Sequence, residues 1–174
     1  GTDEHFEVVT WNIETFPKHE RTVEYAARTL RGLRPDVLAI QEVWSAQALN
    51  ELRDQLPGYE ISVPPDMADA GLAYLYSRET IELLESPYRI FTEDNYDFAW
   101  RPPFVLRVRF SQSDLTVINM HLKCCGDGYI GDDYWDEELR RQNSANALKG
   151  YIEEHLSDEA VIVVGDWNDS IDEP

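Results

Sequence analysis

Polar residues follow four apolar runs of the sequence, at the points where predicted strands end. Asn12 follows VVTW, Glu42 follows VLAIQ, and His121 follows TVINM. Asp166 and Asn168 follow VIVV-Gly near the end of the chain. Sheet proteins build sites where polar groups gather at strand ends, and carboxylate oxygens there suit hard cations. The set therefore indicates a site that combines carboxylates, amides and an imidazole.

Each of these residues also has an ordinary structural interpretation. An asparagine at a strand end is commonly a turn residue, and a glutamate after a strand is commonly solvated. A histidine in a strand is commonly a hydrogen-bonded core residue. GDWND alone fits a turn in which glycine supplies a positive φ. The joint occurrence of all four segments, rather than any one of them, is what indicates function.

The elements that must position these residues alternate along the chain without repeats or low-complexity linkers. Periodicity predicts helices over residues 20–33, 45–56 and 136–155. Strands are predicted over residues 6–13, 36–43, 59–63, 71–77, 81–91, 103–110, 115–122 and 160–167. Helices at the ends around a run of strands predict an α/β fold, a layered sandwich with mixed sheets. We expect residues 1–174 to belong to a single domain.

Composition excludes several classes of protein. Of the 174 residues, 43% are hydrophobic and 11% are aromatic, which is typical of a folded domain and not of a disordered chain. No apolar run approaches the roughly 20 residues that a membrane span needs, so we expect no transmembrane segment. The first residues, GTDEHF, have neither the basic start nor the apolar stretch of an export signal.

The net charge of −19 is the most unusual bulk property of the chain. An acidic surface repels phosphate backbones, so nonspecific attraction of nucleic acid is expected to be weak. Two compatible interpretations stay open. The surface is highly solvated, as suits a salt-rich environment, or some carboxylates bind metal ions, whose charge reverses the local field.

The two cysteines, Cys124 and Cys125, are neighbours in the sequence. A single adjacent pair excludes a disulfide framework. The pair can close a strained vicinal ring, remain as thiols or lie beside a metal, and the sequence leaves its redox state open. HLKCC is similar to half of a zinc site, but no second CxxC or HxxxH motif supplies the other ligands.

Six segments together resemble the endonuclease/exonuclease/phosphatase superfamily, which has the deoxyribonuclease I-like fold. They are TWNI, RPDVLAIQEV, LAYLYSRE, RPPFVLRVRF, VINMHLK and VVGDWND, and they extend over nearly the whole chain. The resemblance implies an α/β/β/α sandwich of mixed sheets. RPPF, preceded by DNYDFAW, is most similar to the secreted and deoxyribonuclease-like branches and not to the inositol phosphatases. On that basis we expect a secreted or periplasmic location, although the chain itself carries no signal peptide.

The resemblance implies a metal site. Glu42 corresponds to the family's glutamate that binds Mg²⁺ or Mn²⁺ through an oxygen, as hard cations require. Asn12 is expected beside that carboxylate, either as a ligand or as the residue that orients it. Asp166 resembles the acid that aligns the attacking water or a metal ion. The cation activates water and screens the charge on the transferred group.

The resemblance also implies residues that contact phosphate. His121 resembles the histidine that donates a hydrogen bond to a non-bridging phosphate oxygen and neutralises developing charge. Asn168 resembles the amide that donates to the pentavalent phosphate. Arg101 of RPPF has two open roles, a contact to phosphate or a structural salt bridge.

The chain departs from the family pattern in one respect. In the family, a Ser-Asp-His motif beyond the GDxND segment carries the general base, and no such motif occurs here. His155 precedes Leu-Ser-Asp, in the opposite order, and Asp169 and Glu173 lie on the turn that leaves the last strand. We therefore expect an N-terminal portion of the domain, inactive alone. The C-terminal part and its Ser-Asp-His motif are expected on a second chain or fragment.

The segment CCGDGYIGDDYWDEE, residues 124–138, is longer and more acidic than a simple connection. Asp127, Asp132, Asp133 and Asp136 can ligate a structural Ca²⁺, as in related nucleases. The alternative is that these acids favour the start of the following helix by complementing its dipole. The absence of EF-hand spacing favours the alternative.

The sequence thus predicts a Mg²⁺-dependent hydrolase of phosphoester bonds, a nuclease acting on a phosphodiester substrate by attack of activated water. A phosphatase or a sphingomyelinase-type lipid phosphodiesterase is the first alternative. A non-catalytic binding relative is the second, and the complete set of motifs argues against it. DNA, RNA, nucleotides, lipids and sugar phosphates all remain open as substrates.

Overall fold

The computed structural model describes residues 4–65 and 71–170. Glu173, predicted on the turn that leaves the last strand, lies outside them. The described residues form three helices, α1 (Thr22–Leu33), α2 (Ala46–Asp54) and α3 (Glu137–His155). They also form nine strands, β1 (Val8–Phe16), β2 (Val37–Val43), β3 (Tyr59–Ser62), β4 (Gly71–Ser77), β5 (Ile81–Leu83), β6 (Tyr88–Arg89), β7 (Phe104–Phe110), β8 (Ser113–His121) and β9 (Ala160–Asp166).

The strands form two mixed sheets. The first sheet has the order β1-β2-β4-β3, in which β1 and β2 are parallel and the other neighbours are antiparallel. The second has the order β5-β7-β8-β9, with β6 beside β7, and β8 and β9 are its parallel pair. Within the described residues, β1 and β9 are therefore edge strands of their sheets, and β3 and β5 lie at the opposite edges.

Three apolar layers hold these elements together. Helices α1 and α2 pack on the outer face of the first sheet through residues such as Leu30 and Leu49. Helix α3 covers the second sheet, where Leu148 packs against Ile118. The inter-sheet core fills the space between the sheets; its members include Val37, Ala39, Tyr74, Phe104, Leu106 and Val117, with Val8 and Val164 half-buried beside them. The predicted α/β/β/α sandwich of mixed sheets is confirmed.

The helices and most strands lie where the sequence predicts them, but the single strand predicted over 81–91 is wrong. The structure has two short strands there, β5 and β6. The ladder to β7 stops after Leu84, whose N–H donates to the Arg107 carbonyl, and resumes where Tyr88 pairs with Val105. Pro87 lies in the gap and has no N–H for the ladder. No described helix has the length and apolar character to cross a membrane.

Candidate active site

The side chain of Asn12 joins β1 to the ends of β2 and β9, although Asn12 lies in the middle of β1 and not at its end as predicted. Its Nδ2 donates to Glu42 Oε1 over 2.9 Å and to Asp166 Oδ2 over 2.7 Å. Asn12 and Glu42 lie on neighbouring strands of the first sheet, whereas Asp166 ends β9 of the second sheet. One amide thus brings two carboxylates together at one point.

The backbone at Glu42 is shaped to direct its carboxylate to this point. Glu42 has a φ of 61°, unusual in a strand, and the pairing of β2 with both of its neighbours shifts register around it. Its second oxygen, Oε2, accepts from the Thr15 N–H over 3.0 Å, and Thr15 itself has a φ of 53°. Left-handed backbone at non-glycine residues is costly and concentrates at functional sites.

Asp166 is positioned by a close approach of β9 to β8. Gly165 has a φ of 148°, and a Cβ there would lie 1.9 Å from the Met120 carbonyl oxygen, so only glycine fits. Asp166 Oδ1 accepts from the Asn168 N–H over 2.9 Å. Asn168, with a φ of 51°, donates its Nδ2 to the Leu122 carbonyl over 3.0 Å. Its amide thus ties the turn after β9 to the end of β8.

His121 faces the same carboxylate from the end of β8. Its side chain is 4% exposed, and its Nε2 lies 3.7 Å from Asp166 Oδ2. Burial lowers the pKa of His121 to about 4, with the Arg101 charge acting in the same direction and Asp166 and Glu42 opposing. The imidazole is therefore neutral at pH 7. Its Nδ1 is buried and has no hydrogen-bond partner among the described residues.

Arg101 has a role that neither sequence interpretation anticipated. Its Nε donates to the His121 carbonyl over 3.1 Å and its Nη2 to the Leu122 carbonyl over 2.6 Å. Burial lowers the pKa of its guanidinium, which nevertheless remains charged. In the described structure Arg101 thus holds the end of β8, and with it the imidazole, through backbone carbonyls.

Beneath the site lies a buried polar network that the sequence analysis missed. Gln41 and Asn119 are both fully buried, and Gln41 Nε2 donates to Asn119 Oδ1 over 2.7 Å. Asn119 Nδ2 donates in turn to the carbonyls of Ile40 and Ala73 over 3.0 and 3.1 Å. This network ties the two sheets together one residue before Glu42 and two before His121. The available signal was a polar residue inside each apolar run, AIQEV and VINMH.

A second residue that the sequence analysis missed is Arg141 of α3. Its Nη1 donates to the carbonyls of Lys123 and Cys125 over 3.1 and 2.8 Å, and its Nε lies 3.5 Å from Asp169. The Sγ atoms of Cys124 and Cys125 are 2.9 Å apart, and both thiols are free and exposed. Arg141 therefore fixes the segment that follows His121, for which the sequence gives no signal.

The acids of the segment 124–138 bond to their own backbone. Asp127 and Asp133 accept from the N–H groups of Tyr129 and Trp135, as in Asx turns. Asp136 is the N-cap of α3 and accepts from Leu139 N over 2.7 Å. Asp136 thus acts at the helix start, as one interpretation predicts, whereas Asp127 and Asp133 stabilise turns of the loop itself.

The donor set at the strand ends fits a hard cation with a small number of protein ligands. Among the described residues, no group of three or more His, Cys, Asp or Glu side chains is arranged to hold a metal ion. Glu42 and Asp166 nevertheless present carboxylate oxygens to one point, where Asn12 Nδ2 now lies between them. Mg²⁺ keeps several waters and binds through one or two carboxylates, so two acids suffice.

An open pocket of about 760 Å³ adjoins this cluster. Its walls come from the end of the first sheet and from the turn after β9. The lining residues are Thr10, Asn12, Gln41, Gly165, Asp166, Trp167, Asn168, Asp169 and Ser170. The pocket thus opens along the side of the molecule where β1 and β9 are the last strands.

The structure is a layered α/β protein in which two mixed sheets lie between helices. Carboxylates and an imidazole meet at the strand ends. The chain belongs to the Endonuclease/Exonuclease/phosphatase family, whose model matches residues 9–174. No curated protein matches the sequence significantly.

Solved structures share this fold at low sequence identity. The chain is similar to TDP2 from D. rerio in complex with single strand DNA product, at 20% identity and a TM-score of 0.72, over 97% of this chain and 62% of that one. TDP2 from C. elegans has 18% identity and a TM-score of 0.75, over 97% and 49% of the two chains. ANGEL2, a 2′,3′-cyclic phosphatase, has 19% identity and a TM-score of 0.66, over 97% and 54%. The chain thus spans 49–62% of the length of these structures.

Proposed function

We propose that this chain carries the centre of a divalent-metal-dependent phosphoesterase, a nuclease that hydrolyses phosphodiester bonds by attack of an activated water. The observation that carries the proposal is the bridge from Asn12 to both Glu42 and Asp166. It brings two carboxylates from different sheets together beside a neutral imidazole. Membership of the endonuclease/exonuclease/phosphatase family supports phosphoester bonds as the target.

Each residue of the site has a distinct chemical role in this proposal. Glu42 and Asp166 hold Mg²⁺ or Mn²⁺, and the bound ion supplies Lewis acidity for water activation and charge screening. Asn12 orients both carboxylates. His121, neutral at pH 7, donates a hydrogen bond to a non-bridging phosphate oxygen, where negative charge develops. Arg101 positions the imidazole through the His121 carbonyl.

Asn168 combines two roles in this proposal, holding the turn after β9 and donating to the phosphate as the family resemblance implies. Its side-chain nitrogen already donates to the Leu122 carbonyl, and its N–H donates to Asp166. It acts on Asp166 by fixing the turn, and the second N–H of its side-chain amide is left to donate to a phosphate oxygen.

Nucleic acid is the substrate that the neighbours favour. One TDP2 structure contains a single strand DNA product, and one ANGEL2 structure contains adenosine-2′,3′-vanadate. We extend both observations to this chain as a proposal. The acidic surface opposes long-range attraction of polyanions, so the bound cation has to provide the local positive charge.

We also propose that a further polypeptide segment completes the site. Within the described residues, the outer edges of β1 and β9 have no neighbouring strand, and both edges flank the pocket. Unpaired strand edges readily accept an additional strand. Such a segment, with the family's Ser-Asp-His motif, supplies the proton acceptor, which is worth on the order of 10²–10⁴-fold in rate.

The metal assignment is tested with Glu42→Gln, which keeps the shape of the side chain and removes its charge. We expect calorimetric Mg²⁺ or Mn²⁺ binding by residues 1–174 to fall by orders of magnitude. In the protein that also contains the completing segment, we expect nicking of plasmid DNA to fall likewise, and EDTA to abolish nicking by the unaltered form. Glu51→Gln, an exposed change in α2, is the matched control. Metal binding and rates that Glu42→Gln leaves unchanged refute the assignment.

The completing segment is tested separately by intact mass and activity. Residues 1–174 purified without any second polypeptide are expected to show no Mg²⁺-dependent nuclease activity. A soluble and fully active monomer of these residues would refute the need for a further segment, and would leave the metal assignment intact.

A further inference from the structure

Four large aromatic side chains form an exposed group beside the candidate active site. This group, called the aromatic platform, consists of Tyr96, Trp100, Tyr134 and Trp135. Trp100, Tyr134 and Trp135 are 61%, 62% and 63% exposed. Exposed aromatic surface of this size on two adjacent loops is unusual unless it contacts a ligand or partner.

The platform is an ordered stack with one open end. The Tyr96 and Tyr134 rings are 4.3 Å apart and 10° from parallel, and the Arg140 guanidinium lies 4.0 Å from the Tyr96 ring centre. One face of a ring cannot hold both groups at these distances, so they occupy opposite faces of Tyr96. The order is therefore Arg140, Tyr96, Tyr134, and the outer face of Tyr134 is open.

Two indoles stand perpendicular to this stack. Trp135 is inclined by 73° to Tyr96 and by 80° to Tyr134, whose ring centre is 5.3 Å away. Trp100 is inclined by 82° to Tyr96. Trp135 thus lies beside the stack, perpendicular to both rings, and the outer face of Tyr134 can accept the face of one further flat ring.

The platform is physically continuous with the candidate active site at two places. Trp100 is followed by Arg101, which holds the His121 carbonyl. Arg140 is followed by Arg141, which holds the carbonyls of Lys123 and Cys125. Through the first of these contacts the platform adjoins the end of β8, so a substrate longer than one nucleotide can extend from the site toward the platform.

Charge limits what the platform can accept. Its two loops, residues 91–100 and 126–136, contain seven Asp or Glu residues and no Lys or Arg. A phosphate is repelled there, whereas an uncharged flat ring stacks without an electrostatic penalty. In a polynucleotide, the phosphates carry the charge and the bases are uncharged flat rings.

We propose that the aromatic platform is a base-stacking subsite, in which Tyr134 and Trp135 hold one unpaired nucleobase of a single-stranded substrate. The inference rests on the proposed nuclease function and specifies its substrate. Stacking of bases on aromatic side chains tolerates any base, so the subsite selects unpaired strands and not a sequence. Bases within a duplex are stacked on each other and cannot enter.

The test measures binding, separately from hydrolysis, with a short fluorescent phosphorothioate single strand in Mg²⁺ buffer. A second strand has the same phosphates and only abasic sites. We expect Tyr134→Leu to weaken binding of the first strand roughly 5-fold to 100-fold, the range for one stacked base. Tyr134→Phe is expected to restore it, and Tyr129→Leu, an exposed change in the same loop, to leave it unchanged. The abasic strand is expected to bind weakly, with no further loss in Tyr134→Leu.

Several outcomes would overturn the subsite. Equal binding of the two strands, or unchanged binding in Tyr134→Leu, shows that no base stacks there. Binding of a neutral oligosaccharide to the platform in place of DNA shows a different ligand. Hydrolysis is assayed independently on a simple phosphodiester. In the protein that also contains the completing segment, base-dependent binding without any hydrolysis supports the subsite and refutes the proposed function. Hydrolysis with base-independent binding supports the proposed function and refutes the subsite.

Discussion

The inner strands β2 and β8 and the outer strands β1 and β9 have similarly apolar sequences and different environments. Every residue of β2 except Glu42 is buried, and β8 is buried from Thr116 to its end. Along β9, by contrast, every residue is partly or fully exposed, although its sequence is AVIVVGD. The apolar sequences of these strands suit a buried position. Within the described residues, only the inner pair is largely buried.

This difference in burial bears on function, because the candidate site takes residues from both the inner and the outer strands. Glu42 and His121 come from the inner strands, whereas Asn12 and Asp166 come from the outer ones. The bridge from Asn12 to Asp166 thus joins two strands that each lie at the edge of a sheet. A segment that pairs with β1 or β9 would cover these strands and complete the wall of the pocket in one step.

The largest effect is expected at Gly165, where β9 packs closely against β8 although every residue of β9 is at least partly exposed. In Gly165→Ala, the new Cβ would lie 1.9 Å from the Met120 carbonyl oxygen at a φ of 148°, so β9 must move away from β8. We expect a loss of more than about 4 kcal/mol in the free energy of unfolding, measured by urea denaturation.

Gly150→Ala is the matched control for that change. Gly150 lies in α3 with no atom within 4 Å of its added Cβ, and alanine should stabilise the helix by about 0.5–1 kcal/mol. A mild effect of Gly165→Ala would show that β9 is held loosely along its whole length, on its inner as well as its outer edge.

The second prediction concerns His121 at the end of the inner strand β8. His121→Ala removes the donor proposed for the phosphate oxygen, and we expect kcat to fall about 10²–10³-fold with a much smaller change in KM. His121→Gln keeps an N–H donor and should recover part of kcat. Lower thermal stability with an unchanged kcat would instead make His121 a core residue.

The third prediction compares two asparagines. Asn119 lies in the inner strand β8, and Asn12 lies in the outer strand β1. Asn119→Ala removes three hydrogen bonds among buried groups, the one from Gln41 Nε2 and the two to the carbonyls of Ile40 and Ala73, at a cost of about 2–4 kcal/mol in the free energy of unfolding. Calorimetric unfolding measures this loss.

Asn12→Ala is expected to behave in the opposite way. Its partners Glu42 and Asp166 are partly exposed and can be solvated, so stability should change by less than about 1 kcal/mol. Metal affinity or activity should fall about 10–100-fold, as for other residues that orient metal ligands. Equal losses of stability in the two variants would remove the distinction between inner and outer strands.

The sequence predicted the layers and the strand-end residues because apolar periodicity and strand ends are local features. The network between Gln41 and Asn119 could not be predicted, since its partners are far apart in the chain and meet only when the sheets pack. The same holds for the contact of Gly165 with the Met120 carbonyl. Arg101 was recognised in RPPF, but its carbonyl partners depend on how β8 ends, which no local pattern encodes.

The last prediction compares the inner and outer strands directly. The same valine-to-alanine substitution is made at four positions of the inter-sheet core. Val37 in β2 and Val117 in β8 are fully buried, whereas Val8 in β1 and Val164 in β9 are half-buried in the same core. Replacing a buried valine with alanine should cost about 1.5–3 kcal/mol, and the half-buried positions less than about 1 kcal/mol. These costs are obtained from urea denaturation of the 174-residue chain. If a further segment covers β1 and β9, the same four substitutions in the completed protein should cost nearly equal amounts. Equal costs already in the 174-residue chain would show that the outer strands are fully covered without it, and that the pocket is complete as described.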